Sequence, residues 1–352
     1  MNYYEKDNNT FNKDYFESAV ELFIKKSKNK KESRYKSWEY CYNFFHSVHE
    51  KISNKNVSLT SPFGECVIDG QKWTNKDQLS LHLAFYMASW GMYRGSSFLL
   101  QNDYTIYYGV VDTIFEDKYK ELWDDKKLFS GNIENKISSI LNLYKDIQNA
   151  LYRFKEFYDT KSYFCNDIED KTEYNPKFLT IITKIILGTI GCFPALDRNF
   201  KYGFGISDGS KKSDFVEQTI RRVFDLVLNK KEEIESALEE IKCDELPPIM
   251  KSIDMYYFIK GQEDFFLHNL GFKEKNFGGI VAKDITDKID NFNGSKTPKT
   301  KDAAKFLYNN ICKDDIYIAR DEILYAYKKA QKTAEFVRDN YKEEDDKKFK
   351  KD

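Results

Sequence analysis

The stretch LSLHLAFYMASW, Leu79 to Trp90, decides the reading of this chain. It is apolar on nearly every side at helical spacing, and such a helix belongs at the centre of a protein with others packed around it. Its start is marked as well: Thr74 with Asp77 three residues on forms a capping-box pattern. Working outward, Asn12–Glu50 carries two helical stripes, one of Phe16, Val20, Phe23 and Ile24, the other of Trp38, Cys41, Tyr42, Phe45 and Val48. Further helices are expected at Tyr104–Phe115, at Ile133–Phe157 with its 3.6-residue stripe, and from Asn175-Pro176 through KFLTIITKIILGTIG. Helical patterns resume at Lys212–Leu228, Glu232–Ile241 and Asp314–Tyr341. Ile133–Phe157 and Lys177–Gly188 are expected to pack on the Leu79–Trp90 helix.

Composition agrees. The 352 residues include only 16 glycines and six prolines, too few turn formers for a sandwich or barrel, whose strands turn every 8–12 residues. Apolar residues make up 41% and aromatics 16%, which excludes global disorder. One segment reads differently: VSLTSPFGECVIDGQKW, Val57 to Trp73, joins β-branched residues to turn signals at Ser61-Pro62-Phe63-Gly64 and Asp69-Gly70. It is either a short hairpin near residues 57–72 or an irregular loop. The expected fold is therefore all-α, two packed helical lobes around a central apolar helix with one β-hairpin-like excursion. The expected organisation is an N-terminal helical segment over 1–74 with the β-like insert, a central lobe over 75–205 and a C-terminal lobe over 206–341. The lobes divide at FPALDRNFKYGFGISDGS, and the tail over 342–352, KEEDDKKFKKD, has no apolar anchor and reads as disordered.

Lysine and arginine total 56 against 57 aspartates and glutamates, a net charge of −1, which excludes a histone-like coat but permits a local basic face. Such a face is offered by KKSKNKKESRYK, Lys25 to Lys36, with seven positive charges and one glutamate. It is either a solvated loop between helices or a strip that contacts phosphates through Lys25, Lys26, Lys28, Lys30, Lys31 and Arg34. The N-terminus has neither a basic nor an apolar leader region, and the longest apolar run, Phe178 to Phe193, is interrupted by Lys184. No signal peptide or membrane span is expected, and the location expected is cytoplasmic. Six scattered cysteines never form a C-x-x-C pair, so they read as reduced thiols with no zinc site.

Phosphate-binding, serine-hydrolase, zinc-protease and kinase motifs are absent, and neither a cofactor nor a metal is expected. His46 and His49, three apart on a helix, read as surface histidines rather than a metal pair, and His82 as a hydrogen-bonded core residue. In ASWGMYRGSS a guanidinium lies between apolar segments, so Arg94 is expected to be buried or half-buried and paired, with Asp197 as the favoured partner, either in a structural salt bridge inside the core or in a ligand- or phosphate-recognition site with Trp90, Ser96 and Ser97. In TKIILGTIGCFPALDRNF, Asp197 either simply N-caps the next helix or combines that cap with a carboxylate that projects into a cleft between the lobes, and Lys184 and Arg198 are candidate ligand contacts.

Helix, proline-containing loop and A-x-D, with the aspartate opening the next helix, resemble the helix-hairpin-helix base-excision DNA glycosylase superfamily over about residues 175–200. The resemblance implies that Asp197 stabilises an oxocarbenium-like sugar or activates water, and that Lys177, twenty residues earlier, stands at the lyase lysine position. The family's Leu-Pro-Gly-x-Gly hairpin has no counterpart in Tyr174-Asn175-Pro176-Lys177-Phe178. The function expected is thus a helical, nucleic-acid-associated and glycosylase-like protein that acts on or binds DNA, RNA or a nucleoside. The alternative is a non-enzymatic, defence- or phage-associated interaction protein that binds a partner protein or RNA.

Overall fold

A computed structural model describes residues 11–29, 35–54, 57–68, 70–94, 97–158, 176–206, 214–241, 243 and 246–269. Among the described residues the chain is all-α with one hairpin. Its helices are α1 (Lys13–Asn29), α2 (Tyr35–Ser53), α3 (Asn75–Ser89), α4 (Tyr108–Ile114), α5 (Asp125–Leu128) and α6 (Ile133–Tyr158), followed by α7 (Pro176–Thr189), α8 (Arg198–Phe204), α9 (Phe215–Asn229), α10 (Lys231–Glu240) and α11 (Ile249–Asn269). Strands β1 (Pro62–Ile68) and β2 (Gln71–Thr74) pair antiparallel, with a register irregularity between Pro62 and Val67. The expected hairpin is therefore present. The expected helix over Asp314–Tyr341 and the tail over 342–352 lie outside the described residues.

Two compact units are formed: residues 1–201 with 205–256, and residues 202–204 with 257–352. In the first, α2 packs on α3 and α7, α3 on α4 and α7, α6 on α4, α7 and α9, and α1 on α10. In the second, Gly203 lies against the α11 backbone at Tyr257 and Gly261, where a side chain has no room, and Phe204 meets Tyr257 edge to face at 4.8 Å.

Local signals hold where they were read. Thr74 and Asp77 form the capping box that opens α3. Phe16, Val20, Ile24, Trp38, Cys41, Phe45 and Val48 are buried, as are Ile137, Ile140, Leu143, Tyr144, Ile147 and Leu151 along α6. The central helix is a correction. The Leu79–Trp90 helix buries one side only, leaving Leu81 and Phe85 exposed, whereas every residue from Ile181 to Leu196 is buried. α7 and the loop after it form the axis of the first unit, because the one charge within that run, Lys184, is neutralised inside the core. Gly188 lets α7 approach α3: a Cβ there would lie 2.7 Å from one carbon of the Tyr86 ring and 2.9 Å from another.

Candidate functional site

α7 ends at Thr189, and Gly191, at φ +79°, turns the chain into a buried loop that runs to Leu196. A loop in a core must find partners for its backbone polar groups, and here side chains from three helices supply them. Trp38 Nε1 donates to Leu187 O at 2.9 Å, and His46 Nε2 lies 3.2 Å from Ile190 O. Asp254 accepts from Ala195 N at 3.1 Å, while Thr183 Oγ1 accepts from Leu196 N and Thr180 Oγ1 donates to Leu196 O.

Two ion pairs sit in the same place. Lys184 Nζ is 3.1 Å from Asp197 Oδ2, and Lys251 Nζ is 2.7 Å from Asp254 Oδ2. Both ammonium groups lie over the Trp90 ring, at 4.7 and 5.1 Å from its centroid, and Lys251 also faces Trp38 at 5.3 Å and Phe23 at 5.6 Å. The lysine side chains are 3% and 1% exposed, so each charge depends on its carboxylate and on the aromatic faces around it. Burial lowers the Lys251 pKa, opposed first by Asp254. Burial, reinforced by Asp254 and Asp197, raises the nearby Tyr86 hydroxyl well above its ordinary value and keeps it neutral.

Asp197 does two structural jobs at once. Its Oδ1 accepts from Phe200 N at 3.0 Å, the N-cap bond of α8, and its Oδ2 holds Lys184. Three of the expected site residues, Trp90, Lys184 and Asp197, are thereby brought together. The geometry adds Lys251 and Asp254, whose signal was a lysine and an aspartate three apart inside the apolar run MKSIDMYYFI.

Arg94 is a correction. It is exposed, and the partner of Asp197 is Lys184. Gly91, at φ +73°, ends α3 with Gly91 N–H bonded to Ala88 O and Met92 N–H to Met87 O, and the Arg94 guanidinium folds back over that turn. Ser97 Oγ accepts from Leu99 N at 3.4 Å and caps a short 3-10 helix at Phe98–Gln101. Arg198 is exposed at the start of α8. Lys177 belongs to the first turn of α7, and Lys25, Lys26 and Lys28 to the last turns of α1, so part of the expected loop is helical. Ser96, Lys30, Lys31 and Arg34 lie outside the described residues.

The histidines also depart from expectation. His49 stacks on Trp123 at 4.0 Å with the rings 5° apart, and His46 meets the same indole edge-on at 5.0 Å. Burial pushes the His46 pKa down to about 4 and lowers that of His49. His82 is half-buried and stacks on Phe44 at 4.2 Å. Among the described residues no cluster of histidine, cysteine and carboxylate side chains is arranged to hold a metal, and no helix is long and apolar enough to cross a membrane. The chain matches no family model, no curated protein and no solved structure.

Proposed function

We propose that this chain is a nucleic-acid-associated binding protein that holds DNA or RNA by its phosphates and does not use Asp197 as a catalytic carboxylate. The observation that carries the reading is the segregation of charge. A chain of net charge −1 concentrates seven positive side chains against one glutamate in Lys25–Lys36, the passage from the end of α1 to the first turn of α2. That is the electrostatic footprint of a phosphate contact. Arg94 adds a cation at the same end of the α2–α3 pair, since Ser89 near the end of α3 bonds Ser37 at the start of α2. Binding is favoured over glycosidic cleavage because both carboxylate oxygens of Asp197 are already engaged, by a helix cap and by a buried lysine.

The test is binding of labelled oligonucleotides at several salt concentrations, with base release measured on modified oligonucleotides. Binding should weaken steeply with salt, and reversing Lys25, Lys26 and Lys28 should lower the slope of log affinity against log salt by about 2 on a single strand. Asp197→Asn, which keeps the cap but leaves Lys184 without its counter-charge, should destabilise the fold and remove no base-release activity. Salt-insensitive or absent binding would overturn the proposal. So would base release by the wild type that Asp197→Asn abolishes in a variant still folded at the assay temperature.

A further inference from the structure

α2 and α3 together carry an exposed aromatic face. The register of these two antiparallel helices is fixed by two contacts, the bond between Ser89 and Ser37 and the stack of His82 on Phe44 at 4.2 Å with the rings 11° apart. That register sets Tyr40 and Phe85 level with one another between the two contacts. Tyr40 is 59% exposed and Phe85 64%, and Leu81, one turn from Phe85 on α3, is 37% exposed. Phe44 lies one turn from Tyr40 and carries the Phe63 ring of β1 edge-on at 5.6 Å. The strip therefore runs from Tyr40 across Phe44 and His82 to Phe85, with aromatic rings on both helices. Withdrawing a phenylalanine side chain from water is favourable, so rings left outside forgo that gain until something covers them.

Charge identifies what covers them. The Lys36 ammonium lies 5.8 Å from the Tyr40 ring centroid, in the turn where the basic run enters α2. Burial lowers the His82 pKa, so near neutral pH this ring is an uncharged flat support beneath the strip. Lys36 also reaches Glu39 at 3.6 Å, and a cation at the end of a basic run beside an exposed flat ring suits a strand with unpaired bases, whose phosphates meet basic side chains while its bases stack on rings, whatever their sequence. A duplex keeps its bases stacked on one another and offers these rings nothing.

We infer that Tyr40 and Phe85 form a stacking platform for unpaired bases, so that the nucleic acid this protein takes is single-stranded. This rests on the nucleic-acid reading above and adds the strand class and the residues that select it.

The experiment compares a fluorescein-labelled single-stranded oligothymidylate with a duplex of the same length by fluorescence anisotropy. It uses the full chain, its Tyr40→Ala, Phe85→Ala and doubly substituted variants, and the conservative Tyr40→Phe and Phe85→Tyr. Circular dichroism confirms that each variant is folded, as expected for two exposed positions. Each alanine should weaken single-strand binding roughly tenfold or more, the double variant further, with duplex binding and the salt slope unchanged because no charge is altered. The conservative variants should restore affinity. Salt-dependent binding by the wild type that the folded alanine variants retain in full would overturn the platform and leave the phosphate-binding function standing. Equal losses on duplex and single strand would also overturn it, as would a protein partner that co-purifies with the wild type and is lost from the double variant. No binding of either oligonucleotide by the wild type would overturn both proposals together.

Discussion

Asp254→Asn isolates the charge of the second buried pair. Asparagine has the same size and retains an oxygen for the Ala195 N–H, so the loop keeps that bond while Lys251 loses its counter-charge. If Lys251 stays protonated, the cost is that of breaking a buried ion pair, about 3–5 kcal/mol, softened by the Trp38 and Trp90 faces. If it sheds its proton instead, the cost is about 1.4 kcal/mol for each pH unit below the unfolded lysine value near 10.4. That is about 4.6 kcal/mol at pH 7 and about 1.9 kcal/mol at pH 9. The cheaper route sets the deficit, so the variant should lose about 3–4 kcal/mol at pH 7 and no more than about 2 kcal/mol at pH 9. The sign follows from proton counting. Burial already lowers the Lys251 pKa, and removing Asp254 lowers it further, so the unfolded chain binds more protons than the folded one and stability rises with pH. The penalty is full below the folded-state pKa and disappears as pH passes the unfolded value. Urea denaturation followed by circular dichroism, for wild type and variant at both pH values, measures it. A deficit below 1 kcal/mol at pH 7, or one that does not shrink at pH 9, would refute the buried-charge account.

Gly188→Ala should destabilise the protein by about 1–3 kcal/mol, read from urea midpoints, because its methyl group collides with the Tyr86 ring and α7 must move away from α3. His46, pushed down to about 4 by burial, binds fewer protons folded than unfolded, so stability should fall as pH drops from about 6.5 towards 4, by at most about 3 kcal/mol. His46→Gln should flatten that acid limb in a pH series of urea melts, and an unchanged limb would refute the assignment.

Features that depend on neighbours in sequence were legible. The capping box and the apolar stripes of α2 and α6 follow from spacing alone and the folded chain uses them as read, and of the two readings left open for Val57–Trp73 it takes the hairpin. Trp90, Lys184 and Asp197 were each singled out from the sequence, but their grouping was not: the argument that a charge among apolar residues must be neutralised was applied to Arg94, whereas the charge inside the core is Lys184, neutralised by Asp197 beneath the Trp90 ring. The same reasoning about Arg94 failed because apolar flanks do not fix direction. Gly91 in the left-handed region stops α3 and turns the next residues outward, so a guanidinium that reads as enclosed reaches solvent. The exposure of Leu81 and Phe85 was invisible for a related reason. Periodicity shows that a helix is apolar all round but not which side finds partners, and that depended on α7 taking the centre. The stack of His49 on Trp123 joins residues 74 positions apart and leaves no local trace.

The buried pairs bear on function through what they make impossible elsewhere. An ion pair in a core is often replaceable by apolar residues of similar volume at little cost. Here it is not, because each carboxylate carries a backbone hydrogen bond as well: Asp254 holds Ala195 N and Asp197 holds Phe200 N. Replacing Lys251 and Asp254 together by methionine and leucine would remove both charges yet strand the Ala195 N–H in the core, a penalty of about 1–3 kcal/mol. The charges are thus tied to the loop that turns α7 into α8, and that tie accounts for four charged side chains close to one indole without any substrate. The contacts of Asp197 to Lys184 and to Phe200 N are thereby explained by the fold alone, since each holds part of the buried axis of the first unit in place. The surface proposed for nucleic acid asks nothing of that core, since Tyr40 and Phe85, with Lys36 beside Tyr40, already face solvent.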